Sequence, residues 1–136
     1  LLYLGMKLKE MGVTPTFLLG SRTENELMQV QEFEKIGPVY ITTENGAVGE
    51  QGYVTQHSVL TREQFTQVYT CGPKPMMVAV ARWAKAAGVP CEVSLENKMA
   101  CGVGACLCCV EDTKEGNVCV CKEGPVFAID KLSWQI

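Results

Sequence analysis

Six of the eight cysteines of this chain fall between positions 101 and 121, and this concentration constrains the fold more than any other feature. Cys101, Cys106 and Cys109 are spaced C-x4-C-x2-C, and Cys121 follows after eleven more residues. Gly102 and Gly104 lie inside the first interval, and glycine can adopt the positive φ angles that a tight loop requires. The pattern predicts a loop that points several thiolates at one metal centre.

The C-x4-C-x2-C spacing is the one that plant-type ferredoxins use for a 2Fe–2S cluster. It predicts four cluster ligands: Cys101, Cys106, Cys109 and Cys121. Cys108 and Cys119 are left as additional thiols.

Two other uses of the cysteines stay open. A structural zinc site could be formed by Cys106, Cys109, Cys119 and Cys121, although it would leave Cys101 and the Gly-Val-Gly turn without a role. A disulfide framework is typical of small secreted domains that lack a core, whereas this chain is 47% hydrophobic. The spacing favours iron–sulfur over both.

Composition excludes several classes of function. Twelve basic and fifteen acidic residues give a net charge of −3, with no basic stripe for nucleic acid. No apolar run is long enough to cross a bilayer, so no membrane role is predicted. The many thiols and the lack of a targeting segment predict a reducing cytoplasmic location.

Helical and strand patterns alternate up to residue 96. Helices are predicted at 1–11, from the capping box at 23–26 to Phe33, at 61–65 and at 73–87. Strands are predicted at 15–19, 39–43, 68–71 and 91–95. This alternation indicates an α/β fold with a doubly wound parallel sheet. Since such a sheet normally begins with a strand and a glycine-rich turn, the chain is interpreted as truncated, with the first strand missing.

The periodic pattern ends after Glu96. Two short β runs are predicted at 107–111 and 117–121, joined by a polar turn, and no strand of the main sheet is expected there. The predicted organisation is a nucleotide-binding domain at 1–96 and a small cysteine-rich 2Fe–2S appendage at 97–136.

Ligands of doubly wound sheets bind at the carboxyl ends of the strands. Two loops lie at such ends: Gly20-Ser21-Arg22 and Cys71-Gly72-Pro73. An arginine at the position of Arg22 can pair with a 2′-phosphate, which by itself favours NADP. No residue is assigned a catalytic role.

Three short stretches of sequence carry a family resemblance. Residues 71–76, C-G-P-K-P-M, resemble the C-G-P-x-x-M signature of the ferredoxin–NADP reductase superfamily. Residues 99–106, M-A-C-G-V-G-A-C, and residues 121–127, C-K-E-G-P-V-F, resemble the electron-transfer subunits of type B dihydroorotate dehydrogenase. The interval before the fourth cysteine is somewhat shorter here than in that family.

The resemblance implies an oxidoreductase subunit of pyrimidine biosynthesis. A partner subunit that holds FMN would oxidise dihydroorotate within a heterotetramer, and electrons would pass through the 2Fe–2S cluster and FAD to NAD. It implies that Cys71, Gly72 and Pro73 line the nicotinamide side and that Gly20, Ser21 and Arg22 lie by the adenosine ribose.

The resemblance also implies that FAD binds mostly through an N-terminal domain that this chain lacks, so residues 1–136 alone are expected to be inactive. Alternatives are a sulfide dehydrogenase or ferredoxin–NADP reductase subunit of the same superfamily, or a zinc-stabilised binding module.

Overall fold

The computed structural model describes all residues, 1–136, and the chain divides into two compact units, Leu1–Gln64 and Phe65–Ile136. The helices are α1 (Leu2–Glu10), α2 (Val30–Glu34), α3 (Val59–Arg62), α4 (Lys74–Ala87) and α5 (Val120–Glu123). The strands are β1 (Phe17–Ser21), β2 (Val39–Thr43), β3 (Glu50–Gln51), β4 (Val68–Cys71), β5 (Cys91–Ser94), β6 (Val110–Thr113), β7 (Gly116–Cys119) and β8 (Val126–Ala128).

The first unit is built on a parallel three-stranded sheet in the order β1-β2-β3. Its core is a small cluster of Phe17, Phe33 and Ile36, in which the two phenylalanine rings lie 4.8 Å apart. Helix α1 approaches this cluster closely, because a Cβ atom at Gly5 would lie 2.5 Å from the ring of Phe17. The apolar positions of the first helix and the first strand therefore pack on each other.

The second unit contains a mixed sheet in the order β4-β5-β8. Strands β4 and β5 are parallel, and β8 pairs antiparallel with β5. Helix α4 begins after Pro73 and ends at Gly88, which adopts the left-handed conformation with φ of 68°. Its buried residues Met77, Ala81 and Ala84 pack in the core of this unit.

The cysteine-rich segment shares that core. Strands β6 and β7 form an antiparallel hairpin, and α5 follows directly. Cys109, Val120, Phe127 and Leu132 are buried in one apolar cluster with residues of α4 and β5. The backbone at the base of the cysteine loop is therefore supported by packed side chains.

The predicted α/β class with parallel strands is confirmed, and four of its predicted strands correspond to β1, β2, β4 and β5. The expectation that no strand of the sheet lies beyond residue 96 is wrong. Strand β8 pairs with β5 through Val93 opposite Phe127. A run of three residues is too short to be recognised as a strand from the sequence, because its pairing with β5 is what stabilises it.

The predicted capping box is also wrong. Thr23 makes no side-chain cap, residues Glu24–Glu26 form a single 3-10 turn, and helix α2 starts only at Val30. The carboxylate of Glu26 accepts a hydrogen bond from the backbone of Arg22 at 3.1 Å, so it stabilises the preceding turn. The helix predicted at 61–65 is displaced to α3, and the two predicted β runs are displaced to β6 and β7.

No helix of the structure is long and apolar enough to cross a membrane.

Candidate metal centre and nucleotide-side turns

The cysteine loop runs from Cys101 to Cys109 without regular secondary structure. Gly102 and Gly104 have φ angles of 71° and 80°, as the sequence predicted, and a side chain would strain the backbone there. These turns fold the loop back so that the amides of Val103 and Cys106 donate hydrogen bonds to the sulfur of Cys101, at 3.5 and 3.4 Å. The loop is shaped to stabilise a thiolate.

These amides have an electrostatic effect on Cys101. The hydrogen bond from the Val103 amide, followed by that from Cys106, lowers the pKa of the Cys101 thiol to about 6. The pKa of Cys106 is also lowered, first by the amide of Cys108. Because thiolates are the form that ligates metals, the loop favours the ligating state before any metal binds.

The four predicted ligands occur as two pairs. The amide of Cys106 donates a hydrogen bond to the sulfur of Cys101, at 3.4 Å. The amide of Cys121 also donates to the sulfur of Cys109, at 3.4 Å. Cys121 lies in the single turn of α5, directly after the hairpin, and this turn brings it back to the loop.

The arrangement of the thiols fits one of the predicted metal groups better than the other. No three cysteine, histidine, aspartate or glutamate side chains converge as the ligands of one ion would. A 2Fe–2S rhomb instead takes two protein thiolates at each iron, and the two pairs and the all-thiol donor set fit that group. Of the proposed zinc ligands, no three are gathered at one point.

The additional cysteines lie beside the four predicted ligands. Cys108 is exposed, and its thiol hydrogen bond with Cys106 raises the pKa of Cys108. Cys119 is half-buried, and its thiol donates to the carbonyl oxygen of Gly104 at 3.7 Å. Neither sulfur accepts a hydrogen bond from the amide of another cysteine, as the sulfurs of Cys101 and Cys109 do.

The Cys71-Gly72-Pro73 turn connects β4 to α4, as expected. The thiol of Cys71 donates a hydrogen bond to Oε1 of Glu96 at 3.3 Å. Partial burial and then this carboxylate raise the pKa of Cys71. The sequence analysis missed Glu96 as a site residue, although it follows β5, whose carboxyl end lies beside that of β4 because the strands are parallel neighbours.

The Gly20-Ser21-Arg22 turn is at the carboxyl end of β1, in the first unit. A Cβ atom at Gly20 would lie 2.5 Å from Val54, so only glycine fits there. The hydroxyl of Ser21 donates to the carbonyl of Thr23 at 2.8 Å, and Arg22 is exposed.

Glu111 is a second residue that the sequence analysis missed. Its carboxylate is buried and accepts hydrogen bonds from Lys74 Nζ at 2.9 Å, Trp134 Nε1 at 3.0 Å and Asn97 Nδ2 at 3.0 Å. Burial alone would raise the pKa of Glu111, but these three bonds outweigh it and lower the pKa. In the sequence, Glu111 is an acidic residue within a short strand, and this context does not predict a buried side chain.

Comparison with known proteins agrees with this geometry. Residues 96–133 match the model of the iron–sulfur cluster binding domain of dihydroorotate dehydrogenase B. A chain from the structure of an NADH-dependent reduced ferredoxin-NADP oxidoreductase, studied for flavin-based electron bifurcation, superposes with a TM-score of 0.83 and 31% identity, over 96% of this chain and 48% of that chain. The fold and the cysteine loop therefore define a ferredoxin reductase-like protein with an iron–sulfur cluster binding domain.

Curated relatives give a more specific comparison. The probable dihydroorotate dehydrogenase B (NAD(+)) electron transfer subunit of Methanocaldococcus jannaschii is 44% identical over 126 residues, which are 90% of this chain and 48% of the relative. The corresponding subunit of Caldanaerobacter subterraneus subsp. tengcongensis is 43% identical over 136 residues, 97% of this chain and 53% of the relative. The chain is similar to these dihydroorotate dehydrogenase B electron transfer subunits, and it spans about half the length of the relatives.

Proposed function

We propose that this chain supplies the iron–sulfur centre and the pyridine-nucleotide side of a dihydroorotate dehydrogenase electron transfer subunit. The observation that carries the proposal is the cysteine loop. Its amides stabilise the Cys101 thiolate, and amide hydrogen bonds join Cys106 to Cys101 and Cys121 to Cys109. The loop also lies within the segment that matches the iron–sulfur domain.

In this proposal Cys101, Cys106, Cys109 and Cys121 hold a 2Fe–2S cluster, which supplies one-electron transfer when bound. The loop amides lower the pKa of Cys101 and Cys106 and so favour their ligating form, and the buried Cys109 anchors the loop in the core. We assign residues 97–136 to the cluster-binding domain and residues 1–96 to the nucleotide-binding domain.

The nucleotide side is assigned to the two turns at strand ends. Cys71, Gly72 and Pro73 would contact the nicotinamide, with Glu96 fixing the Cys71 thiol in its protonated form. Gly20, Ser21 and Arg22, at the carboxyl end of β1, would lie by the adenosine ribose. The printed names of the relatives specify NAD(+), and this supports NAD over NADP despite the arginine.

The reaction of the whole enzyme is then the oxidation of dihydroorotate by NAD⁺ to give orotate, NADH and a proton. An FMN-containing catalytic subunit would take the electrons from dihydroorotate, the cluster held by Cys101, Cys106, Cys109 and Cys121 would supply one-electron transfer, and FAD would supply hydride transfer to NAD⁺. We also propose a heterotetramer with that partner and a cytoplasmic location. FAD would bind mostly outside residues 1–136. Residues 1–136 alone are proposed not to oxidise NADH.

The test uses the full-length subunit purified anaerobically with its catalytic subunit. We expect two iron and two sulfide per subunit, a rhombic EPR signal after reduction, and NAD⁺ reduction that depends on dihydroorotate. Cys101→Ser should remove the EPR signal and the NAD⁺ reduction, while the matched variant Cys108→Ser should keep both. Zinc without iron, or full activity in Cys101→Ser, would contradict the proposal.

The structural neighbour supports a second candidate, a subunit of a ferredoxin-NADP oxidoreductase. The same preparation separates the two candidates. A protein that reduces NADP with electrons from ferredoxin, and does not respond to dihydroorotate, would favour the second.

A further inference from the structure

A buried carboxylate follows the cysteine loop in the chain. Glu111 is the second residue of β6 and follows the predicted ligand Cys109 by two positions. Its side chain is only 7% exposed. Burying a carboxylate costs several kcal/mol unless its oxygens are well paired, so such a residue needs compensating partners.

The partners of Glu111 come from three separate segments of the second unit. Lys74 is the first residue of α4, directly after the Cys71-Gly72-Pro73 turn. Asn97 comes from the segment that leads into the cysteine loop, and Trp134 from the region after β8. The ammonium group of Lys74 also lies over the Trp134 ring, 5.7 Å from its centroid.

Asn97 extends this network to the backbone of the cysteine loop. Its amide nitrogen is 3.5 Å from the carbonyl oxygen of Cys109 and 3.4 Å from that of Val110. Glu111 therefore joins the backbone at the ligand Cys109 to the helix that follows the nucleotide-side turn. No other carboxylate of the chain accepts side-chain hydrogen bonds from three different residues.

We propose that Glu111 is a positioning residue, which holds Cys109 and the cluster it ligates in a fixed place relative to the Cys71-Gly72-Pro73 turn. The inference rests on the proposed function. Electron transfer slows steeply as the separation of the carriers grows, so a loop that shifts slows the transfer even when the cluster is bound. Mutation of the residues that hydrogen-bond to metal ligands typically costs 10- to 100-fold in metal affinity or activity.

The test uses the full-length subunit in complex with its catalytic subunit. Glu111→Gln keeps the volume of the side chain but removes the charge that pairs with Lys74. The matched control is Glu115→Gln, an exposed residue in the turn of the same hairpin, which changes the net charge equally. In Glu111→Gln we expect wild-type iron and FAD content, but a roughly tenfold slower reduction of the cluster by NADH, followed by rapid-freeze EPR.

Two further measurements do not depend on turnover. Amide hydrogen exchange at residues 109–111 should be faster in Glu111→Gln and unchanged in Glu115→Gln. The reduction potential of the cluster should become more positive in Glu111→Gln, because a negative charge beside it is lost. It should become more negative in Lys74→Met, which removes the opposite charge from an exposed side chain.

A merely structural role would lower the stability or the cluster content, but protein that retained its cluster would be reduced by NADH at the wild-type rate. A wild-type reduction rate and potential in Glu111→Gln would overturn the inference. If Glu111→Gln does not fold, Lys74→Met serves as the test. An unchanged reduction potential of the cluster in Lys74→Met would also overturn the inference. Absence of a 2Fe–2S cluster from the wild-type protein would instead contradict the proposed function.

Discussion

The thiol of Cys71 donates a hydrogen bond to the carboxylate of Glu96, and the two atoms are 3.3 Å apart. The two residues are 25 positions apart in the chain, and they meet because β4 and β5 are parallel neighbours whose carboxyl ends lie side by side. A thiol that donates to a carboxylate is held in its protonated form. Cys71 is therefore a fixed hydrogen-bond donor at this turn, and a poor nucleophile.

The Cys71–Glu96 contact predicts the reactivity of Cys71. Burial first, and then the hydrogen bond and charge of Glu96, raise the pKa of Cys71. Glu96→Gln removes the negative charge, so the pKa of Cys71 should fall and its alkylation by iodoacetamide at pH 8 should become severalfold faster. Mass spectrometry of the labelled cysteine measures the rate. Glu92→Gln, which removes a carboxylate of β5, should leave the rate of Cys71 unchanged, and an equal acceleration in both variants would refute the assigned contact.

The two cysteine pairs predict which cysteines the cluster requires. Cys101→Ser, Cys106→Ser, Cys109→Ser and Cys121→Ser should each abolish the visible absorption and the EPR signal of the full-length subunit, since each removes a ligand. Cys108→Ser and Cys119→Ser should retain both signals. Retention of the cluster in Cys121→Ser together with its loss in Cys119→Ser would show that the fourth ligand is Cys119.

Gly104 gives a prediction on loop geometry. Gly104→Ala adds a methyl group that meets only ordinary contacts, at 3.6 Å or more, but it places alanine at a φ of 80°. The strain should cost about 1–2 kcal/mol. The Cys101 thiolate should lose its amide hydrogen bonds as the loop relaxes, so cluster content should fall.

The matched control for this prediction is Gly88→Ala at the end of α4. Gly88 has a φ of 68° and no neighbouring atom within 4 Å, so its backbone strain is similar. It should lower the free energy of unfolding by a comparable amount and leave iron content unchanged. Equal cluster loss in both variants would mean that stability, and not loop shape, controls cluster binding.

Cys91 predicts a pH dependence of stability. Burial first, and then the charge of Glu92, raise the pKa of this thiol to about 11. The unfolded thiol has a pKa of about 8.5. The folded state therefore holds its proton longer, and the stabilisation from this group is complete below pH 8.5 and is lost as the pH rises towards 11. The free energy of unfolding, measured by urea denaturation from pH 8 to 11, should fall more steeply in the wild type than in Cys91→Ala.

The comparison with Cys91→Ala isolates this one group, because all other thiols are the same in both proteins. Parallel slopes would show that Cys91 ionises equally in the folded and unfolded states. Labelling adds an independent check, since Cys91 should react with iodoacetamide only after addition of denaturant.

Local patterns in the sequence were sufficient for the α/β class and for most elements. Apolar periodicity and glycine stops depend on neighbouring residues, so they predicted α1, α4 and the strands β1, β2, β4 and β5. The capping box failed because Glu26 bonds the backbone of Arg22, a contact within a turn that competes with helix formation. Strand β8 was missed because it is stabilised by β5, more than 30 residues earlier in the chain.

The sequence alone also determined the cysteine spacing, the glycines at positive φ and the motif of the Cys71-Gly72-Pro73 turn, because each is a property of a short stretch of chain. Only the tertiary structure decided that Cys71 meets Glu96, that Cys109 pairs with Cys121, and that Glu111 is buried among Lys74, Asn97 and Trp134. These contacts join residues between 12 and 37 positions apart. Their formation depends on which strands become neighbours and on which side chains the core excludes from water, and no local pattern encodes either.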